Sequence, residues 1–383
     1  MKSIFSSFFR VSAVAVALAL TASPAFAQLG GLKRGLTKAK EAKDKVDDLH
    51  FSDAEERQLG EYVSALLIER FGVYQDQAVG KYVALLGSVL AQASSRPNLK
   101  WEFIVLDTEG VNAYAAPGGL IHITRGALGL MKTEAELAGV LGHEIAHVSQ
   151  RHTAKAIQKG TFTGVGIDAA ATRTPGGALT QEFVAAYGNR IYQDLFENKF
   201  DRDDEKDSDK VGIALANKVG YDPRGMTGFL NKVSERNKDM KEPNGVFASH
   251  PQTKDRISDM ENQIKKDKLN ATAVVAARYT STITFDAKPA SAIAMDIAGV
   301  RGAVGDSSAK PAAKEAQAEP KKAGPLGFIS SKGSSSKESQ TVASAGARGG
   351  VPDRDAVGGP NKNKLQIRIT PADIEAFRKG IAG

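Results

Sequence analysis

The spacing of apolar residues predicts two helices near the start of the part of the chain that has a folded composition. Ser52 and Glu55 form a capping-box pattern, so the first helix is expected to begin there and to end near Arg70. In the second helix, which stops at Ser94, apolar residues recur every three or four positions: Val79, Val83, Leu86 and Leu90. Each helix is expected to bury one face in a core.

Two runs of aromatic and β-branched residues predict strands at 101–106 and 120–124. Pro117 and two glycines predict a turn between them, and because proline is excluded from central strands, the hairpin is expected at a sheet edge. His122 is expected on the strand surface. An edge strand can pair with an extended polypeptide, so four residues form a candidate substrate edge: Asn112, Ala113, Tyr114 and Ala115. A purely structural hairpin is the alternative.

The next predicted helix carries the main chemical motif. Thr133 and Glu136 form a second capping-box pattern at its start, and apolar residues surround His143, Glu144 and His147. Residues four apart share a helix face, so the two imidazoles can bind one metal ion while Glu144 reaches a water bound to it. This His-Glu-x-x-His pattern predicts a half-buried zinc peptidase site.

An acidic stretch at 200–209 offers candidates for a third ligand. Glu205 and Asp209 are four positions apart at the start of another helical pattern, so both carboxylates lie on one face. One can bind the metal, and the other can accept the free ring N–H of a ligand histidine. A solvated charged surface is the alternative. His152, five residues after His147, is off the ligand face and is expected to be structural or to support a ligand.

Composition adds limits on class and location. The chain has 383 residues, no cysteine and a net charge of +7, with lysine and arginine spread along its length, so disulfides play no part and no nucleic-acid site is expected. Residues 1–27 have the basic start, apolar run and Ala-x-Ala end of a signal peptide, which predicts cleavage after Ala27 and a periplasmic location. No transmembrane span is expected in the mature chain.

The predicted domain organisation follows from these segments. A charged linker at 28–50 precedes a predominantly helical α+β domain at 51–267, which contains a small sheet. Residues 268–300 are expected to include a strand at 278–285. The Ala-, Gly-, Ser-, Pro- and Lys-rich segment 301–363 is expected to be a disordered C-terminal extension. Residues 364–383 predict a strand at 364–370 and a helix from Pro371 capped by Thr370, which packs on the body or recognises a partner.

The histidine motif followed by Glu205 and Asp209 resembles the gluzincin metallopeptidase family that includes the HtpX heat-shock peptidase and the CAAX prenyl proteases. The chain is most similar to its soluble periplasmic members in outer-membrane protein quality control. The resemblance includes 112–119, 220–223, 249–251 and 256–257, so it covers about 51–266. The sequence departs from the family pattern at Tyr114, Ala116 and Ser208, where Phe, Leu and Ala are usual.

The resemblance implies a zincin-like fold with one Zn²⁺ per chain. His143, His147 and Glu205 match the zinc ligands, Glu144 the catalytic base, and Asp209 the residue that supports a ligand. The implied function is a zinc endopeptidase that hydrolyses misfolded or stalled cell-envelope proteins, with outer-membrane assembly machinery as a further partner. The alternative is a chaperone or assembly factor with a latent or regulatory zinc site.

His250 precedes a proline in a loop after the ligand helix. It can donate to the oxyanion of the reaction or occupy zinc's open position and hold the enzyme latent; a structural loop histidine is the third possibility. We predict that His250→Ala raises cleavage of an unfolded protein if His250 is a latch. A large loss of cleavage would favour the oxyanion role instead.

Overall fold

The computed structural model describes residues 51–158, 172–196, 201–238, 253–289 and 360–382. The predicted signal peptide, the linker at 28–50, most of the segment expected to be disordered, and His250 lie outside these residues. The helices, labelled α1 to α11 in chain order, are Asp53–Phe71, Gln77–Ala93, Arg125–Leu130, Glu134–Ser149, His152–Gln158, Gln181–Phe196, Arg202–Lys218, Gly225–Arg236, Thr253–Lys266, Ala276–Thr282 and Pro371–Ala382. Within the described ranges, no helix is both long enough and apolar enough to span a bilayer.

A three-stranded mixed sheet lies among these helices, with strands β1 (Glu102–Leu106), β2 (Ala113–Ala116) and β3 (Leu120–Thr124). The strand order is β1-β3-β2, in which β3 is parallel to β1 and antiparallel to β2. The short 3₁₀ turn Pro117–Gly119 joins β2 to β3. The turn at Pro117 and an edge strand beside it are confirmed, but the hairpin joins β2 to β3, whereas β1, the other predicted strand, pairs with β3 in parallel.

Both faces of the sheet are buried, because α1 packs on one face and α2 and α4 lie on the other. This arrangement corrects the expectation for His122. Its side chain is fully buried on the central strand, where Nε2 lies 2.9 Å from Ser64 Oγ of α1. Strand alternation alone does not reveal a second covered face, so the sequence indicated a surface position.

The predicted helix starts are largely confirmed. Ser52 and Glu55 form both hydrogen bonds of a capping box. Thr133 Oγ1 accepts the Glu136 backbone N–H at 3.2 Å, but the Glu136 carboxylate accepts from the backbone of Lys132 instead of that of Thr133. Only half of the second predicted box forms.

The strand expected at 278–285 is wrong, since residues 278–282 belong to α10 and residues 283–285 form no strand. Tyr279 and Ile283, four positions apart, are both buried, and the Tyr279 hydroxyl donates to the Leu128 carbonyl at 2.6 Å. The hydroxyl of Thr280 donates a hydrogen bond to a backbone carbonyl one turn earlier in the same helix. Burial of the tyrosine and these local bonds outweigh the β propensity of the threonines.

The C-terminal residues pack against the body, which is one of the two alternatives that the sequence left open. Thr370 caps α11 as predicted, with its Oγ1 accepting the Asp373 N–H at 3.1 Å. Residues 364–370 alternate between exposed and partly buried side chains but form no strand ladder, so the alternation was right and the strand was wrong. Their apolar side chains rest on α2, where the Leu365 side chain lies close to Gly80.

Phe377 is the main anchor of α11. Its ring is edge-on to Tyr82 at 5.7 Å between centroids, and the Arg278 guanidinium lies 4.1 Å from its centroid. We predict that Phe377→Ala lowers the free energy of unfolding by about 3 kcal/mol, because it empties a buried aromatic site. Urea denaturation measures the loss, with the exposed Glu375→Ala in the same helix as control. Equal stabilities of the two variants would contradict the anchoring role.

Candidate metal centre

Helices α4 and α7 cross at a pair of glycines, and this contact brings the predicted ligands together. A Cβ on Gly142 would lie 2.8 Å from the Gly212 carbonyl oxygen, and one on Gly212 would lie 2.8 Å from the His143 backbone nitrogen. Any larger residue would force the helices apart. The backbones therefore approach closely enough for side chains at the start of α7 to reach the histidines of α4.

His143, His147 and Glu205 meet at one point, as predicted. The two Nε2 atoms are 3.1 Å apart, and Glu205 Oε1 lies 3.3 Å from His147 Nε2. The other carboxylate oxygen lies 3.6 Å from His143 Nε2. All three side chains are buried, and one ligand atom from each lies within 4.8 Å of the others.

Asp209 lies behind His143, which is the position expected of a supporting carboxylate. Asp209 Oδ1 is 3.0 Å from His143 Nδ1, so this nitrogen carries the ring proton and Nε2 keeps its lone pair for a metal. Burial lowers the pKa of His143 to about 3, although the hydrogen bond to Asp209 opposes the shift. The imidazole is therefore neutral at pH 7, as metal ligation requires.

Arg256 of α9 completes the site, and sequence reasoning gave it no role. Its guanidinium donates two hydrogen bonds to Asp209, at 2.7 and 2.6 Å, and lies 3.2 Å from Glu205. Burial alone would raise the pKa of Asp209, but Arg256 and His143 hold it below its ordinary value. The only sequence signal for Arg256 was its place in the family resemblance.

His152 also belongs to the site, although helical spacing placed it off the ligand face. Its Nδ1 lies 3.1 Å from His147 Nδ1, on the side of that ring opposite Glu205. This direct contact with His147 agrees with the expectation that His152 supports a ligand.

Glu144 lies fully buried on α4, between the two ligand histidines in sequence. Burial raises its pKa to about 7; the charge of Glu205 acts in the same direction, and His147 and Arg256 oppose it. A carboxyl group with a pKa near neutrality can both take and release a proton at pH 7.

The predicted substrate edge lies next to this helix. Strand β2 packs against α4, and all four of its candidate residues are buried: Asn112, Ala113, Tyr114 and Ala115. Thr124 N donates to Asn112 O at 3.0 Å, so the alternation of an antiparallel ladder directs the backbone N–H and C=O of Ala115 away from β3.

The donor set fits a zinc ion. Two imidazole nitrogens and one carboxylate, all buried and directed at a common point, are the three protein ligands of many catalytic zinc sites. Asp209 and His152 hold the outer nitrogens of the two rings, which leaves both Nε2 atoms directed inwards.

A helix-borne His-Glu-x-x-His motif, completed by a glutamate from a second helix beside a small sheet, defines a zincin-like metallopeptidase domain. Residues 78–264 match the sequence profile of peptidase family M48, so this domain belongs to that family.

Three curated proteins are similar to this chain in sequence. The Beta-barrel assembly-enhancing protease of Yersinia pestis is 28% identical over 205 residues, covering 52% of this chain and 41% of the relative. The Mitochondrial metalloendopeptidase OMA1 of Schizosaccharomyces pombe is 26% identical over 191 residues, covering 49% and 55%. Metalloprotease YcaL of Escherichia coli is 27% identical over 189 residues, covering 49% and 71%. The chain thus spans less than half the length of the first of these relatives.

The pairing of Asp209 with Arg256 gives a test of how the site is stabilised. We predict that Arg256→Met lowers the free energy of unfolding of chelator-treated protein by about 3–5 kcal/mol, since it leaves a buried carboxylate without its main partner. Combining it with Asp209→Asn should recover part of the loss. The exposed Arg224, which pairs with Asp222, supplies the control: Arg224→Met should cost less than about 1 kcal/mol. Similar losses for Arg256→Met and Arg224→Met, by urea denaturation, would refute the assignment.

Proposed function

We propose that this protein is a zinc-dependent endopeptidase that hydrolyses peptide bonds of misfolded or stalled cell-envelope proteins. The observation that carries the proposal is the buried convergence of His143, His147 and Glu205 beside Glu144. A scaffold that only binds zinc has no use for a general base, whereas a hydrolase requires one.

The residues of the site have separate roles in this reaction. His143, His147 and Glu205 would hold one zinc ion, which when bound lowers the pKa of a water molecule and polarises a carbonyl group. Glu144 takes the proton from the attacking water and returns it to the leaving amine. Asp209 keeps the proton of His143 on Nδ1, and Arg256 holds Asp209 in place.

Strand β2 is the proposed binding edge for the substrate backbone. An extended peptide can add to a sheet edge through main-chain hydrogen bonds, which suits a peptidase that accepts varied unfolded sequences. The backbone groups of Ala115 are directed to that side. At the candidate substrate edge, formed by Asn112, Ala113, Tyr114 and Ala115, the backbone groups of Ala115 would bind the substrate.

Location and partners are inferred from the chain's start and from its relatives. The signal-peptide pattern ending at Ala27 supports export to the periplasm. One relative is named a Beta-barrel assembly-enhancing protease, which supports unfolded outer-membrane proteins as substrates and their assembly machinery as a partner. That same name keeps a second candidate function open: a chaperone or assembly factor in which the zinc site is latent or regulatory.

The deciding experiment compares wild type with Glu144→Gln on an unfolded protein substrate while zinc content is measured. We predict that cleavage falls by about 10²–10⁴-fold and that one zinc per chain remains, because Glu144 is a base and not a ligand. Glu136→Gln, two turns earlier on the same helix, controls for the loss of a buried carboxylate. Wild-type protein that carries zinc but cleaves no unfolded substrate, even with His250→Ala, would favour the chaperone function.

A further inference from the structure

His152 is buried behind His147 and contacts it ring to ring. The two Nδ1 atoms are 3.1 Å apart, and the ring planes meet at 83°. On its other side, His152 Nε2 lies 3.3 Å from Asp207 Oδ2. His152 therefore connects a ligand histidine of α4 with a carboxylate of α7, the helix that supplies Glu205.

A break in the helix at Arg151 produces this contact. In a continuous helix, residues five apart are separated by about 140° around the axis, so His152 would face away from the ligand face. Arg151 adopts a left-handed conformation with φ of 59°, which ends α4 and starts α5 in a new direction. The Arg151 guanidinium bonds to Glu56 and Asp53 and donates to the Phe51 carbonyl at 2.8 Å. These contacts hold a backbone conformation that is costly for a residue other than glycine.

The positions of the nitrogens define how the protons are arranged. With Nε2 of His147 bound to the metal, the ring proton of His147 is on Nδ1, which donates to His152. His152 Nδ1 is then an acceptor, and its proton is on Nε2, which faces Asp207. Ser208 Oγ, 3.2 Å from His152 Nδ1, contacts the same ring. The result is a chain of donors that runs from His147 through His152 to Asp207.

We propose that His152 is a positioning residue for the zinc site, which fixes the tautomer and orientation of His147 and is itself supported by Asp207. The inference rests on zinc binding at the site proposed above. It gives the second ligand histidine a support of its own, distinct from the Asp209 contact that holds His143. A hydrogen bond donated by the outer N–H makes a ligand imidazole a better electron donor, so His152 should contribute to zinc affinity and not only to packing.

The test measures zinc affinity by competition with a chromophoric chelator in wild type and two variants of His152. His152→Phe fills the space without an acceptor and is expected to weaken zinc binding by about 10–100-fold. His152→Gln keeps an oxygen that can accept the His147 proton and a donor for Asp207, so it should retain most of the affinity. His122→Phe replaces a buried histidine that contacts Ser64 away from the metal site, and should leave zinc affinity unchanged.

Asp207→Asn is expected to leave folding intact, because the Asp207 side chain is partly exposed. It should weaken zinc binding in the same direction as His152→Phe, but by less. Wild-type affinity in His152→Phe, or equal losses in the Phe and Gln variants, would overturn the positioning role. A wild-type protein that binds no zinc would instead refute the proposed function, so the two failures are distinguishable.

Discussion

The close crossing of α4 and α7 is the constraint on which the metal site depends. Gly142 and Gly212 allow the two backbones to touch, and no side chain could replace either without moving a helix. Along α7, Glu205, Asp209 and Gly212 follow at intervals of four and three, so one helix face carries both carboxylates and the point of contact. The face of α7 that packs on α4 thus places Glu205 beside the two histidines and Asp209 against the outer nitrogen of His143.

The charge balance of this buried region favours a bound cation. With neutral histidines, the carboxylates of Glu144, Glu205 and Asp209 are balanced, among the residues that the structure describes, by the guanidinium of Arg256, which leaves an excess of two negative charges when all three are ionised. Burying unbalanced charges is costly, and one divalent ion would neutralise the excess. Burial is the main cause of the raised pKa of Glu144, and the charge of Glu205 acts in the same direction against the opposing effects of His147 and Arg256. The raised pKa of Glu144 thus arises from the same buried, acidic environment that favours a metal.

The sequence predicts the parts of the site that depend on helix geometry and misses those that depend on tertiary packing. Residues four apart share a helix face wherever the helix lies, which is why the motif and both carboxylates were predictable. Arg256 comes from another helix, 47 residues after Asp209, and no local pattern marks it. His152 reaches the site only through the left-handed Arg151. In α10, burial of Tyr279 prevails over a composition that favours a strand. Arg256 and α10 were missed because each depends on a contact between distant segments, whereas support of a ligand by His152 was one of the two expectations.

X-ray absorption at the zinc edge of the purified protein tests the central claim, that two histidines and a glutamate from crossing helices hold one zinc ion. The structure predicts zinc coordinated only by nitrogen and oxygen, at about 2.0–2.2 Å, with two imidazoles from α4 and a third only if His250 occupies the open position. Glu205→Ala should alter the oxygen shell while both imidazoles of α4 remain. A spectrum without imidazole scattering, or one that Glu205→Ala leaves unchanged, would contradict the account.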